Sequence, residues 1–155
     1  MGTENLVGGT RLDRDDSPLH HAVFLDALAL LYGALDGERL DHTLANLQTL
    51  AFLCEHGAIG FLVGLRYMAT AVQKCALRFS ADATGILSVF CLGKDAQGVC
   101  LEQLKYPLDN GTLTGGFPLG VSNHFIGEAA TVSVRSGILT VLYDVGNGFP
   151  EVLPC

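Results

Sequence analysis

The chain has 155 residues, enough for one ordinary domain or two small ones sharing a core. With 49% hydrophobic and 16% charged residues its composition is globular and far from that of a disordered chain. The net charge of −7, with no basic cluster, excludes sequence-independent nucleic-acid binding, which depends on Lys and Arg neutralising phosphates.

The opening MGTENLVGG has neither the cationic start nor the apolar run of a secretion signal. The most apolar stretch, Ala22 to Leu35, is broken by Asp26 and falls short of the roughly 20 residues that a membrane-spanning helix needs. A cytoplasmic protein without a membrane partner is therefore expected. Asp13, Asp15 and Asp16 cluster in LDRDDSP. Carboxylates of this kind suit magnesium, and they equally suit a helix start, where the dipole favours negative charge. Ser17-Pro18 is such a start, with Ser as cap and Pro at the first helical position, and the pattern predicts a helix to about Tyr32, stopped by Gly33. His20 and His21 are adjacent on it and point in different directions, which is poor geometry for one ion.

A second helix is predicted from a cap at Asp41 to Gly57. Its apolar stripe runs through Leu44, Leu47, Leu50 or Ala51, and Cys54. In GERLDHTLANL, residues 37 to 47, Arg39 precedes the helix start while His42 and Asn46 lie one turn apart on one face. Free N–H groups at a helix start attract phosphate, and Arg39 can add a bidentate contact. A solvated polar face on an ordinary amphipathic helix accounts for the same residues.

After residue 60 the pattern changes to short strands: 59–65, 68–72, 76–79, 86–92, 99–105, 131–135 and 138–143. Turns are predicted at Asp109-Asn110-Gly111, Gly115-Gly116 and Ser136-Gly137. Many short strands with frequent turns indicate an antiparallel sandwich or barrel. Between two of them a Gly- and Pro-rich loop carries Ser122, Asn123, His124 and Phe125, residue types that can grip a flat heterocycle or merely connect strands. The final GNGFPEVLPC is read as a loose tail. Five scattered cysteines, none in a C-x-x-C pair, fit reduced thiols better than a disulfide framework or a zinc site.

GERLDHTLANL, LKYPLDNGTL (residues 104 to 113) and GVSNHFIGEAATVSVRSGILTVLYD (residues 120 to 144) together resemble thiamine pyrophosphokinase, also called thiamine diphosphokinase. The third block is the most specific of the three. The resemblance implies an α/β remnant of a nucleotide-binding domain, residues 1–60, followed by an antiparallel β-sandwich, residues 61–145, with the tail at 146–155. It implies pyrophosphoryl transfer from ATP to the hydroxyl of thiamine, with magnesium as cofactor, in a homodimer with shared active sites. By resemblance Arg39, Asp41, His42 and Asn46 belong to the ATP side, and Tyr106, Ser122, Asn123 and Phe125 to the thiamine side. Asp15 would be both catalytic and a magnesium ligand.

The departures from the family pattern are specific. The G-D-x-D-S motif has no counterpart, and the second acid of K-D-x-T-D is Pro18. Glu38 replaces a Gly where a phosphate would approach the backbone. A chain shortened at its amino end, with weak or absent pyrophosphokinase activity, is expected. The alternative is a non-catalytic thiamine-binding or dimerising sandwich.

Overall fold

The structure is a computed structural model that describes residues 27–154. The acidic cluster Asp13, Asp15 and Asp16, the expected helix start at Ser17-Pro18 and the His20-His21 pair lie outside the described residues.

The first described element is a strand, β1 (Ala27–Tyr32), where the sequence pattern predicts the end of a helix. It pairs in parallel with β2 (Ala58–Val63), from Ala27 opposite Ala58 to Tyr32 opposite Val63. A parallel strand reads as a near-continuous apolar run, and ALALLY carries no periodicity that separates it from a buried helix. The connection is α1 (Leu40–Glu55), so β1, α1 and β2 form a β-α-β unit. Arg39 is the N-cap and no side chain caps the helix; Asp41, expected as the cap, lies inside the first turn. Leu50 is fully buried, with Leu47, Ala51 and Cys54 packed around the same cluster, as the stripe predicts, while Leu44 at the start of the stripe is exposed. Burying one Leu contributes about 1.5–3 kcal/mol. The helix lies close on the sheet because Gly60 has no side chain: a Cβ there would meet Leu53 Cδ1 at 2.7 Å and Leu50 Cδ2 at 2.9 Å.

The remaining strands are β3 (Tyr67–Val72), β4 (Cys75–Arg78), β5 (Ile86–Cys91), β6 (Ala96–Glu102), β7 (Leu108–Leu113), β8 (Asn123–His124), β9 (Thr131–Val134), β10 (Leu139–Asp144) and β11 (Glu151–Pro154). They build a six-stranded sheet in the order β1-β2-β3-β10-β5-β8 and a five-stranded sheet in the order β11-β4-β9-β6-β7. Apart from β1 with β2, all pairs are antiparallel. Leu77, Val99, Val132 and Val134 of the smaller sheet meet Leu87, Val89, Leu139, Val141 and Tyr143 of the larger in one core. Leu62, Ala69 and Ala71 on the other face of the larger sheet pack beneath Leu50 of α1.

Three further expectations change. Asp109-Asn110-Gly111 lies inside β7 rather than at a turn. The β6–β7 ladder shifts register there, and Asn110 takes φ 48°, so turn-forming residues serve an irregular strand. The expected tail contains β11, which pairs along β4 from Glu151 opposite Arg78 to Pro154 opposite Cys75. Its Pro is tolerated because β11 is an edge strand. The division expected at residue 60 falls inside β2, and β1 and β2 share a sheet with β3 and β10.

Candidate functional site

Tyr106, Ser122, Asn123 and Phe125 converge where β8 meets the segment between β6 and β7. Asn123 is 3% exposed, and its carboxamide faces inward. Its Oδ1 accepts the Tyr106 N–H at 2.9 Å, and its Nδ2 donates to the Tyr106 carbonyl at 2.7 Å, so one side chain serves both backbone groups of Tyr106 as a strand partner would. The His124 N–H reaches the same Oδ1 at 2.9 Å. Lys105 N–H donates to the His124 carbonyl at 3.0 Å, and Leu104 forms a bridge with Phe125, which completes the stitching. The Tyr106 ring, 57% exposed, projects from this fixed backbone with the Lys105 ammonium 5.4 Å from its centroid.

Beside Tyr106 lies a cleft of about 140 Å³, lined also by Leu101, Pro107, Leu108, Leu119, Val121 and the buried Asn123. Ser122 stands exposed next to Val121, its N–H bound to the Oγ of Ser88 at 3.0 Å. Phe125 is buried, with its ring centroid 5.2 Å from that of Phe79, so it anchors the loop to the core. The apolar walls, a few fixed polar groups and an aromatic ring at the edge suit a small, flat, partly polar molecule. Ser88 was missed in the sequence. Its signal is a single hydroxyl inside the apolar run ILSVFC, where a buried polar group needs a partner.

The residues expected on the nucleotide side are arranged differently. Arg39 forms an exposed double contact with Asp41, Nε to Oδ1 at 3.2 Å and Nη2 to Oδ2 at 2.5 Å. The Arg39 guanidinium holds the Asp41 carboxyl below its ordinary value. Asn46 donates from Nδ2 to the carbonyl of Ala34 at 2.9 Å, which ties α1 to the loop after β1. His42 is exposed on the first turn. These residues sit on α1, which packs over β2 and β3, whereas Ser122 to Phe125 sit at the β8 edge. Three to four strand spacings separate them, roughly 14–19 Å. One chain therefore brings each group together internally but keeps the two groups apart.

Among the described residues no three His, Cys, Asp or Glu side chains come together as a metal site, and Asp15 lies outside them. The described residues thus do not fit a magnesium cage on their own. Cys54, Cys91 and Cys100 are free thiols. No described helix is long and apolar enough to cross a membrane.

Residues 74–139 match the family model of the thiamin pyrophosphokinase vitamin B1 binding domain. That span holds Tyr106, Ser122, Asn123 and Phe125 and leaves out α1. Among solved structures, the thiamine pyrophosphokinase of Bacillus subtilis superposes with a TM-score of 0.68 at 24% identity, covering 76% of this chain and 55% of that one. The thiamin pyrophosphokinase of Geobacillus thermodenitrificans gives 0.64 at 25%, covering 76% and 54%. That of Candida albicans, at 17% identity, shares the fold with a TM-score of 0.62 over 76% and 44%. The chain spans about half the length of the first two. No curated protein sequence matches it. Over residues 74–139 the chain is therefore similar to the vitamin B1 binding domain of thiamine pyrophosphokinases, and its fold is that of their solved structures.

Proposed function

We propose that the chain holds thiamine in the cleft beside Tyr106 and acts as a thiamine pyrophosphokinase. The reaction passes a pyrophosphoryl group from ATP to the thiamine hydroxyl and releases AMP. The observation that carries this reading is the stitched Tyr106–Asn123 loop, which lies wholly within the family-matched residues. In the reaction the hydroxyl oxygen attacks the β-phosphorus, the bond from that phosphorus to the oxygen retained by AMP breaks, and the hydroxyl proton is lost. Such a transfer asks the protein for positioning and charge neutralisation rather than covalent chemistry. A cleft built on hydrogen-bonded backbone supplies positioning.

On the nucleotide side Arg39 would exchange its contact with Asp41 for a phosphate, a small cost for an exposed pair. His42 and Asn46 would flank it. Magnesium would enter with ATP and draw on Asp15. The separation of the two residue groups within one chain supports a homodimer in which each site draws its ATP side and its thiamine side from different copies. We place the protein in the cytoplasm, where both substrates are at hand.

A second reading is a non-catalytic thiamine-binding or dimerising member of the family. The prior engagement of Arg39 and Asn46, together with the donor set among the described residues, favours it. Thermal shift with thiamine, with ATP–magnesium and with both separates the two. A ligand at 100 times its Kd stabilises by about 2.7 kcal/mol. Stabilisation by both ligands, with AMP release near about 1 per second or faster, establishes the enzyme. Stabilisation by thiamine alone without AMP release establishes the binder, and no response to thiamine removes both readings.

A further inference from the structure

Ser122 holds a left-handed backbone with φ 60°. For a residue other than glycine that conformation costs roughly 1 kcal/mol or more, and it persists only where the surroundings over-determine it. Here they are identifiable. The Ser122 N–H is held by the Oγ of Ser88, which sits in the middle of β5 and is 6% exposed. The neighbouring Asn123 side chain is fully engaged with Tyr106 and the His124 N–H. Both buried polar side chains act on backbone. At the cleft the Tyr106 ring is exposed, and Ser122, also exposed, stands between the lining residues Val121 and Asn123.

We infer that Ser88 and Asn123 are positioning residues, a buried polar clamp that sets the Ser122 hydroxyl and the Tyr106 ring as a pair at the mouth of the cleft. This rests on the proposed thiamine site and divides its labour. The ligand's flat ring packs on Tyr106, Leu119 and Val121, and a ring nitrogen or amino group at its edge meets the Ser122 hydroxyl, which can rotate to donate or accept. Ser88 never touches the ligand; its hydroxyl acts through the backbone of Ser122.

Calorimetric titration of the full chain with thiamine tests this, using wild type, Ser88→Ala, Ser122→Ala and the double variant. Each single substitution is expected to weaken binding about tenfold, the effect of one lost hydrogen bond. The double variant should bind no more weakly than Ser122→Ala alone, because residues acting through one group are not additive. Ser88→Thr, which retains the hydroxyl, should restore wild-type affinity. Where Ser88→Ala does not fold, Ser88→Cys has nearly the same shape with a poorer acceptor, and a several-fold loss is expected of it. Wild-type affinity in the Ser88→Ala or Ser88→Cys protein, or losses that multiply in the double variant, would overturn the clamp and leave the thiamine site standing. A wild-type chain that does not bind thiamine removes the site and the clamp together.

Discussion

Tyr143 is 1% exposed, lies in the core between the sheets, and has a hydroxyl without a hydrogen-bond partner. Burial pushes its phenol well above the ordinary range. An unpaired buried hydroxyl costs about 1–3 kcal/mol, so Tyr143→Phe, which removes the oxygen and keeps the ring 5.0 Å from Phe79, is expected to raise the thermal midpoint. A lowered midpoint would show that the hydroxyl has a partner after all. Cys54 gives a pH dependence. Burial, followed by the nearby Glu55 charge, raises its thiol from 9.0 to about 11. The folded state therefore keeps a proton that the unfolded state releases. Its contribution to stability is complete below pH 9.0 and is lost as pH rises towards about 11. Urea unfolding of wild type and Cys54→Ala at pH 8 and pH 10.5 checks this: wild type should lose more stability over that interval than the variant.

Element by element, the connections between sheets are the sensitive points. Ser136-Gly137 joins β9 of the smaller sheet to β10 of the larger, so a predicted turn is a crossing between layers. Gly137 has φ 83°, and a Cβ there would lie 2.4 Å from the Asp95 carbonyl oxygen. Gly137→Ala should destabilise by about 2 kcal/mol or more, against a change within about 0.5 kcal/mol for Gly116→Ala, where nothing lies within 4 Å. Chemical denaturation of the two variants side by side gives the comparison. β11 makes a second test. Removing residues 148–155 strips β4 of one of its two partners and uncovers a new sheet edge. The truncated protein is expected to melt lower and to aggregate on heating, measured by light scattering; unaltered melting would mean that β11 adds nothing to the sandwich.

The whole molecule should unfold as a unit over its described residues, because the larger sheet runs without a break from β1 through β10 to β8. Far-ultraviolet and tyrosine near-ultraviolet circular dichroism should give coincident melting curves; two separated transitions would restore a boundary near residue 60. Much of this molecule was legible in local sequence. Seven strands after residue 58 announce themselves through β-branched and aromatic runs, and α1 through its Leu47, Leu50 and Cys54 spacing, because both signals arise from side chains within one element. The segment matched by the vitamin B1 binding family model was legible in the same way, as a gapped motif. β1 was not, since a strand flanked by apolar neighbours has no period of its own, and neither was β7, whose Asp-Asn-Gly resembles a turn until β6 pairs with it. Only the tertiary structure decided that Asn123 and Ser88 face inward to hold Tyr106 and Ser122, since those bonds join residues 17 and 34 positions apart. It also decided that the Arg39–Asn46 group and the Tyr106–Phe125 group lie towards opposite edges of one sheet, because strand order is settled by which apolar faces can be buried together. The sequence by itself determined most of the elements and the segment matched by the family model, through local spacing; which side chains meet at the cleft followed from long-range pairing.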